Sequence, residues 1–188
     1  MRVFVIRHGE SETNEKGYWT GWLDAALTVR GKENAQALVN ILSKVNFDKI
    51  YSSDLIRAKS TADIAIPGCE YETSPALREV NVGDIAGKPI KEVEIPRDDK
   101  GIPLGYHSFG GETRAEFEER IASFMHSLEP LPFENVAIFS HAGWLRGALD
   151  FAVGERLPRA SIICKNCAIA ILEYENQHWK LHSFINPM

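Results

Sequence analysis

Apolar and polar positions follow two periods along the chain, and the boundaries between them define the elements. Val3-Phe4-Val5-Ile6 is a short, continuous, largely β-branched run, the pattern of a strand covered on both faces. It stops abruptly at the polar loop Arg7-His8-Gly9-Glu10-Ser11. Thr28 is placed to cap a helix, and Ala35, Leu38, Val39, Leu42 and Val45 then recur at helical spacing on one face. Asp48–Ser52 reads as a second short strand. A helix follows, capped by Ser53 or Asp54 and ended by Ile66-Pro67-Gly68. Thr113-Arg114-Ala115-Glu116 is a capping box, and Phe117, Ile121, Phe124, Met125 and Leu128 give the helix after it an apolar face. Asn135–Ser140 repeats the opening pattern and runs into His141, with a helix predicted to begin near Trp144. Cys167–Tyr174 and His178–Phe184 read as two strands with Asn176-Gln177 between them.

Strands and helices alternate over most of the chain. That order predicts an α/β fold, a three-layer sandwich with a largely parallel central sheet flanked by helices. Residues 1–188 are expected to form one domain, with a capping segment at 88–111. In that segment periodicity is lost, interrupted by Pro89, Pro96, Gly101, Pro103, Gly105, Gly110 and Gly111. A connection this long inside a compact domain is functional or mobile. Both a cap over a site and a flexible insertion fit the pattern.

Composition narrows the function classes. The 188 residues are 44% apolar and 25% charged, ordinary for a globular protein with a sizeable core. A net charge of -5 argues against nucleic acid as a partner. No apolar run is long enough to span a bilayer. The N-terminal apolar segment is too short for a signal peptide and leads straight into Arg7-His8. The three cysteines are too few for a disulfide framework. Together these features place the protein in the cytoplasm, with no membrane partner. Cys164 and Cys167 form a C-x-x-C, but no second pair completes a zinc site and no helix starts there as a redox thiol requires. Both are read as structural. His107, His126, His178 and His182 show no metal-ligand spacing, so no metal is expected.

The candidate chemistry sits where strands end. In open α/β sheets ligands bind at the carboxyl ends of strands. There Arg7 offers a planar fork of donors suited to a phosphoryl group. His8 can act as a nucleophile or proton carrier, and Gly9 lets the backbone approach an anion. His141 lies at the end of the matching strand, on the same edge. Arg57 falls in the first turn of a helix, where the helix dipole disfavours a cation unless an anion is bound. Trp19-Thr20-Gly21-Trp22-Leu23-Asp24 reads equally as an aromatic loop packed on the body and as a site wall, with the Thr20 hydroxyl and Gly21 amide facing an anion. Glu79 could donate a proton if burial or a nearby anion raised its pKa. Glu112 fits both a contact near the site and a purely structural turn.

Arg7-His8-Gly9-Glu10-Ser11 with Asn14 resembles the signature of the histidine phosphatase superfamily, also called phosphoglycerate mutase-like. Ser53-x-Leu55-x-Arg57-Ala58-x-x-Thr61-Ala62, the Leu77 to Asp84 stretch, the turn at Gly110-Gly111-Glu112-Thr113 and Ser140-His141-x-Gly143 are similar to its later motifs. The resemblance covers nearly the whole chain. It implies that His8 is the nucleophile, forming a phosphohistidine. It implies that Arg7, Arg57, His141 and Asn14 hold the phosphoryl oxygens, with Thr20, Gly21 and Ala142 beside them, and that Glu79 protonates the leaving alcohol. The expected activity is that of a metal-independent, histidine acid phosphatase-type phosphomonoesterase with no cofactor, acting on a small phosphomonoester. The alternative is a cofactor-dependent phosphoglycerate mutase. Thr20-Gly21-Trp22 is typical of that branch, but Val82 stands where mutases usually carry a tyrosine, and the segment after Gly83 lacks their adjacent arginines. Ile85-Ala86-Gly87 also departs from the bulky aromatic common in the family. A non-catalytic phosphate-binding scaffold is the third reading.

Overall fold

The computed structural model describes residues 1–187. It is built around β1 (Arg2–Arg7), whose apolar run is buried from Val3 to Ile6. Side chains alternate across a strand, so Val3 and Val5 enter one hydrophobic cluster while Phe4 and Ile6 enter another. The first cluster is closed by α4 (Arg114–Leu128) and α5 (Ala142–Val153), through Ile121, Met125, Trp144, Leu145 and Leu149. The second is closed by α2 (Val29–Leu42) and α3 (Ile56–Ala65), through Leu38, Leu42, Ala62 and Ala65. Two helix layers thus sandwich the sheet, as the sequence pattern predicts.

The remaining strands are β2 (Lys49–Ser52), the two-residue β3 (Glu72–Thr73), β4 (Asn135–Ser140), β5 (Ile169–Glu175) and β6 (His178–Ile185). Their order across the sheet is β3-β2-β4-β1-β5-β6. The first four run parallel, and β5 and β6 are added antiparallel. Asn176 and Gln177 join β5 to β6 with φ of 52° and 63°, the left-handed pair that a two-residue type I′ hairpin turn requires.

Helix starts differ from expectation at three places. Neither Ser53 nor Asp54 caps α3. Its N-cap is Leu55, with no side-chain bond. The first amide is instead taken from outside the helix, where Ile56 N donates to Asp24 Oδ1 at 2.6 Å. Asp54 is drawn away by a two-pronged bond with Arg78, at 2.8 and 2.6 Å. The last helix, α5, starts at Ala142 rather than near Trp144. The polar loop after β1 holds a one-turn helix, α1 (Glu12–Glu15), closed by a Ser11/Asn14 capping box too short to show periodicity. Thr28 and the Thr113/Glu116 box cap α2 and α4 as expected.

The 88–111 segment has two single turns of 3-10 helix, Ile90–Glu92 and His107–Phe109. A third apolar cluster of Val82, Ile85, Ile95 and Tyr106, with Trp19 and Phe109 against it, packs the segment onto the 80–86 turn. Gly83 has φ of 61°, and a Cβ there would strike the Phe109 carbonyl, so glycine is needed for this approach.

Candidate active site

The register of two parallel strands brings the histidines together. Arg7 of β1 lies opposite Ser140 of β4, and the His8 amide donates to the Ser140 carbonyl at 2.9 Å. The next residue on each strand is a histidine, and the two rings sit 5.1 Å apart at 63°. The start of α3 delivers Arg57 between them: its Nε is 3.3 Å from His8 Nε2 and 3.2 Å from His141 Nδ1. All three side chains are buried.

These contacts fix the tautomers. His8 Nδ1 is 2.6 Å from the Gly9 carbonyl, which can only accept, so the proton sits on Nδ1. The lone pair of Nε2 then faces Arg57 Nε. His141 likewise accepts at Nδ1 and donates from Nε2 to Ser53 Oγ at 2.9 Å. Burial, then the Arg57 charge, holds both imidazoles well below their usual pKa, so both are neutral at pH 7. Burial also lowers the Arg57 guanidinium to about 10, still charged at neutral pH. Its terminal nitrogens donate to the carbonyls of Leu23 and Gly21 at 2.7 and 2.8 Å. The fork is therefore engaged by the Thr20–Asp24 loop, and only Nε faces the histidines. Thr61 completes the frame, accepting from Gly9 N at 3.0 Å and donating to the Arg57 carbonyl at 2.7 Å.

Beside this buried layer opens a cavity of about 390 Å³. Arg7, Asn14, Thr20, Gly21, Glu79 and Ala142 line it; His8, Arg57 and His141 do not, and adjoin it through their neighbours in the chain and in hydrogen bonding. Arg7 donates to the Cys164 carbonyl at 2.6 Å, leaving its buried Nε without a partner. Asn14 Oδ1 accepts from Asn166, which also reaches the His8 carbonyl, each at 3.2 Å. Thr20 and Thr13 share a hydroxyl contact of 2.7 Å.

Glu79 enters from the other side. Its Oε2 accepts from Gly143 N and its Oε1 from Val80 N, each at 3.0 Å. The carboxylate thus rests on the first turn of α5. Its backbone is held by Trp22 Nε1 at 2.8 Å and by Arg120, which also binds the carbonyls of Ala76 and Arg78. Glu112 grips Arg120 through both oxygens, at 2.9 and 2.8 Å. Glu112 is structural, one step removed from the cavity. The Trp19–Asp24 loop serves both purposes, as wall and as packing.

Sequence reasoning missed Arg120 and Asn166, and assigned Ser53 only as a helix cap. Arg120 carries no local signal for its role, because the carbonyls it binds lie more than 40 residues away. Asn166 lies in a stretch without periodicity. Both C-x-x-C cysteines are free and buried, and burial pushes the Cys167 thiol up to about 12. Among the described residues, no group of three or more His, Cys, Asp or Glu side chains is disposed to hold a metal ion, and no helix is long and apolar enough to cross a membrane.

Comparison with known proteins gives a consistent picture. The family model described as histidine phosphatase superfamily (branch 1) matches residues 3–187. A broad-specificity phosphatase of Saccharomyces cerevisiae is 30% identical over 93% of this chain and 80% of its own length. A 2,3-bisphosphoglycerate-dependent phosphoglycerate mutase of Bartonella henselae is 32% identical over 90% and 88%. A crystal structure of phosphoserine phosphatase from Entamoeba histolytica with 3-phosphoglyceric acid is similar in fold, with a TM-score of 0.82 over 98% of this chain and 96% of that one, at 24% identity.

Proposed function

The chain belongs to the histidine phosphatase superfamily (branch 1), and we propose that it hydrolyses small phosphomonoesters through a phosphohistidine on His8. The observation that carries this reading is the neutral His8, with its lone pair on Nε2 beside the Arg57 cation and next to a cavity holding Arg7 and Glu79. A nucleophile must attack with an unprotonated nitrogen. His8 has one by virtue of its bond to Gly9 and its burial.

In the first step Nε2 attacks phosphorus and the phosphorus–oxygen bond to the alcohol breaks. Glu79 acts as the acid and gives a proton to the departing oxygen. The Nδ1 proton stays on the imidazole, held by the Gly9 carbonyl. The charge of the transferring group falls on Arg7, whose Nε has no partner, and on the Arg57 cation behind His8. In the second step Glu79, now a carboxylate, takes a proton from water as its oxygen attacks phosphorus. The phosphorus–nitrogen bond breaks, inorganic phosphate leaves, and both residues return to their starting states.

Relatives named as phosphatases and as mutases share the family. Water is the acceptor we assign, because Val82 and Ile85 fill the turn after Glu79 with apolar packing. The test is a rapid-quench experiment with labelled substrate. An acid-labile, alkali-stable phosphoenzyme is expected in the wild type and absent in His8→Ala. With 3-phosphoglycerate, free phosphate and glycerate are expected. Accumulation of 2-phosphoglycerate instead would make the enzyme a mutase.

A further inference from the structure

Residues 163–168 lead into β5 and run behind the loop that follows β1. Asn166 is not among the residues lining the cavity, yet this segment binds three residues of the candidate site. The Cys164 carbonyl accepts from Arg7, the Cys167 amide donates to the His8 carbonyl at 3.3 Å, and Asn166 reaches both His8 and Asn14. The segment turns tightly to do so. Ala168 N donates to the Lys165 carbonyl at 3.1 Å, and Cys167 has φ of 61°. A non-glycine residue in the left-handed region is costly and persists where its surroundings over-determine it. Here the turn aims the Cys167 amide and the Asn166 side chain at one carbonyl, that of His8.

The chemistry of these groups fixes two amide orientations. The His8 carbonyl can only accept, so Asn166 faces it with its NH2. That NH2 has two protons and two acceptors, the His8 carbonyl and Asn14 Oδ1, each at 3.2 Å. Asn14 Oδ1 also accepts from Ser11 N, a group that can only donate, at 3.3 Å. Its oxygen is thus held on the protein side. Nδ2 of Asn14 has no partner among the described residues, and Asn14 lines the cavity. A turned-over amide would set NH2 against the donors of Ser11 and Asn166, and would present an oxygen to an incoming anion.

We infer that Asn166 is a positioning residue: by holding Asn14 Oδ1 it makes Asn14 a donor to the phosphoryl group. The inference rests on the phosphatase reading and deepens it. Both bonds to Oδ1 are at the long end for such contacts. The Ser11 bond also belongs to a helix of one turn, which holds weakly by itself. The orientation therefore needs both. The His8 carbonyl, by contrast, keeps the Cys167 amide when Asn166 is removed, so the effect of removal runs through Asn14.

The test is a double-mutant cycle read by titration with inorganic phosphate, which needs no turnover. Asn14→Ala removes a donor to a charged acceptor and should weaken binding roughly 10- to 100-fold. Asn166→Ala lets the Asn14 amide populate both orientations and should cost about threefold. Asn166→Asp keeps the size but replaces the donors by acceptors, so Asn14 turns over; the loss should approach that of Asn14→Ala. In an Asn14→Ala background, Asn166→Ala should cause no further loss and Asn166→Asp only the part due to its charge. Losses that multiply independently overturn the inference, as does unchanged phosphate affinity in Asn166→Asp. Nuclear magnetic resonance gives a second reading. The Asn14 NH2 signals, assigned by their absence in Asn14→Ala, should shift on phosphate addition in the wild type and not in Asn166→Asp; equal shifts in both overturn it. Coupling between the two residues without hydrolysis of any phosphomonoester would sink the phosphatase reading alone. Hydrolysis with phosphate affinity indifferent to Asn166 would sink this inference alone.

Discussion

Replacing Gly143 by alanine isolates the proton donor from the nucleophile. The Gly143 amide holds Glu79 Oε2 at 3.0 Å, while a Cβ added at Gly143 would overlap Glu79 Oε1 and stand 3.1 Å from its carboxyl carbon. Backbone at the first turn of α5 cannot retreat without moving His141, so the carboxylate must swing away by about 1 Å. A displacement of that size in a catalytic group costs on the order of 100-fold. The loss should depend on the leaving group. An alkoxide is strongly basic and needs its proton in the transition state, help worth on the order of 10²–10⁴-fold. A nitrophenolate leaves without it. Gly143→Ala is therefore expected to lower kcat/KM about 100-fold for an alkyl phosphate and only a few-fold for p-nitrophenyl phosphate, with Glu79→Gln showing the same split. The assay is steady-state phosphate release for both substrates with both variants, alongside thermal denaturation to show that the fold persists. Equal losses on the two substrates would refute the reasoning, since Glu79 would then position the site rather than supply the proton. No loss at all in Gly143→Ala would mean that the carboxylate position is not critical.

Three further outcomes follow from the same structure. Burial holds His8 and His141 neutral in the folded state, whereas the unfolded histidines protonate near pH 6.5. The unfolded chain thus binds more protons as pH falls. Stability is complete above 6.5 and is lost below it, by on the order of 2–3 kcal/mol at pH 5.5 for the pair; a urea midpoint flat from pH 7.5 to 5.5 would contradict this. Asp24→Ala removes the acceptor for the first amide of α3 and should cost about 1 kcal/mol, seen as a Tm lower by about 2–4 °C, with Asp24→Asn recovering most of it; an unchanged Tm would show that solvent replaces the cap. Hydrolysis is expected to be unaffected by EDTA, because guanidiniums carry the charge; activity lost on chelation and regained with a divalent ion would overturn that scheme.

Much of this was legible in the sequence, for physical reasons that differ by element. β1 and β4 are buried on both faces, so their unbroken apolar runs stand out, and the polar residues just after them mark the edge where His8 and His141 lie. The caps at Thr28 and Thr113 are local, with donor and acceptor three residues apart. The start of α3 is not local. Its amide is bonded by Asp24, 32 residues earlier, so no window around Ser53 contains the answer. Arg120 escapes notice for the same reason. The packing of 88–111 was hidden because its cluster draws Val82 and Ile85 from before the segment and single residues such as Ile95 and Tyr106 from within it. Arg57 was found, but not its geometry: the carbonyls that engage its fork belong to a loop more than 30 residues away.

The placing of β4 between β1 and β2 has a consequence for how the protein is made. When the first 134 residues have left the ribosome, β1 and β2 exist as sequence but have no strand between them. Each then presents an unpaired edge, the condition that favours association between nascent chains. Insertion of β4 covers the two edges that face it, and the same event delivers His141 beside His8; the other edge of β1 waits for β5. The His8–His141 pair therefore exists only in a chain whose β4 is in place. Recovery of catalysis during refolding is therefore expected to need that insertion together with the later segment that holds Arg7 and Asn14 through Cys164 and Asn166.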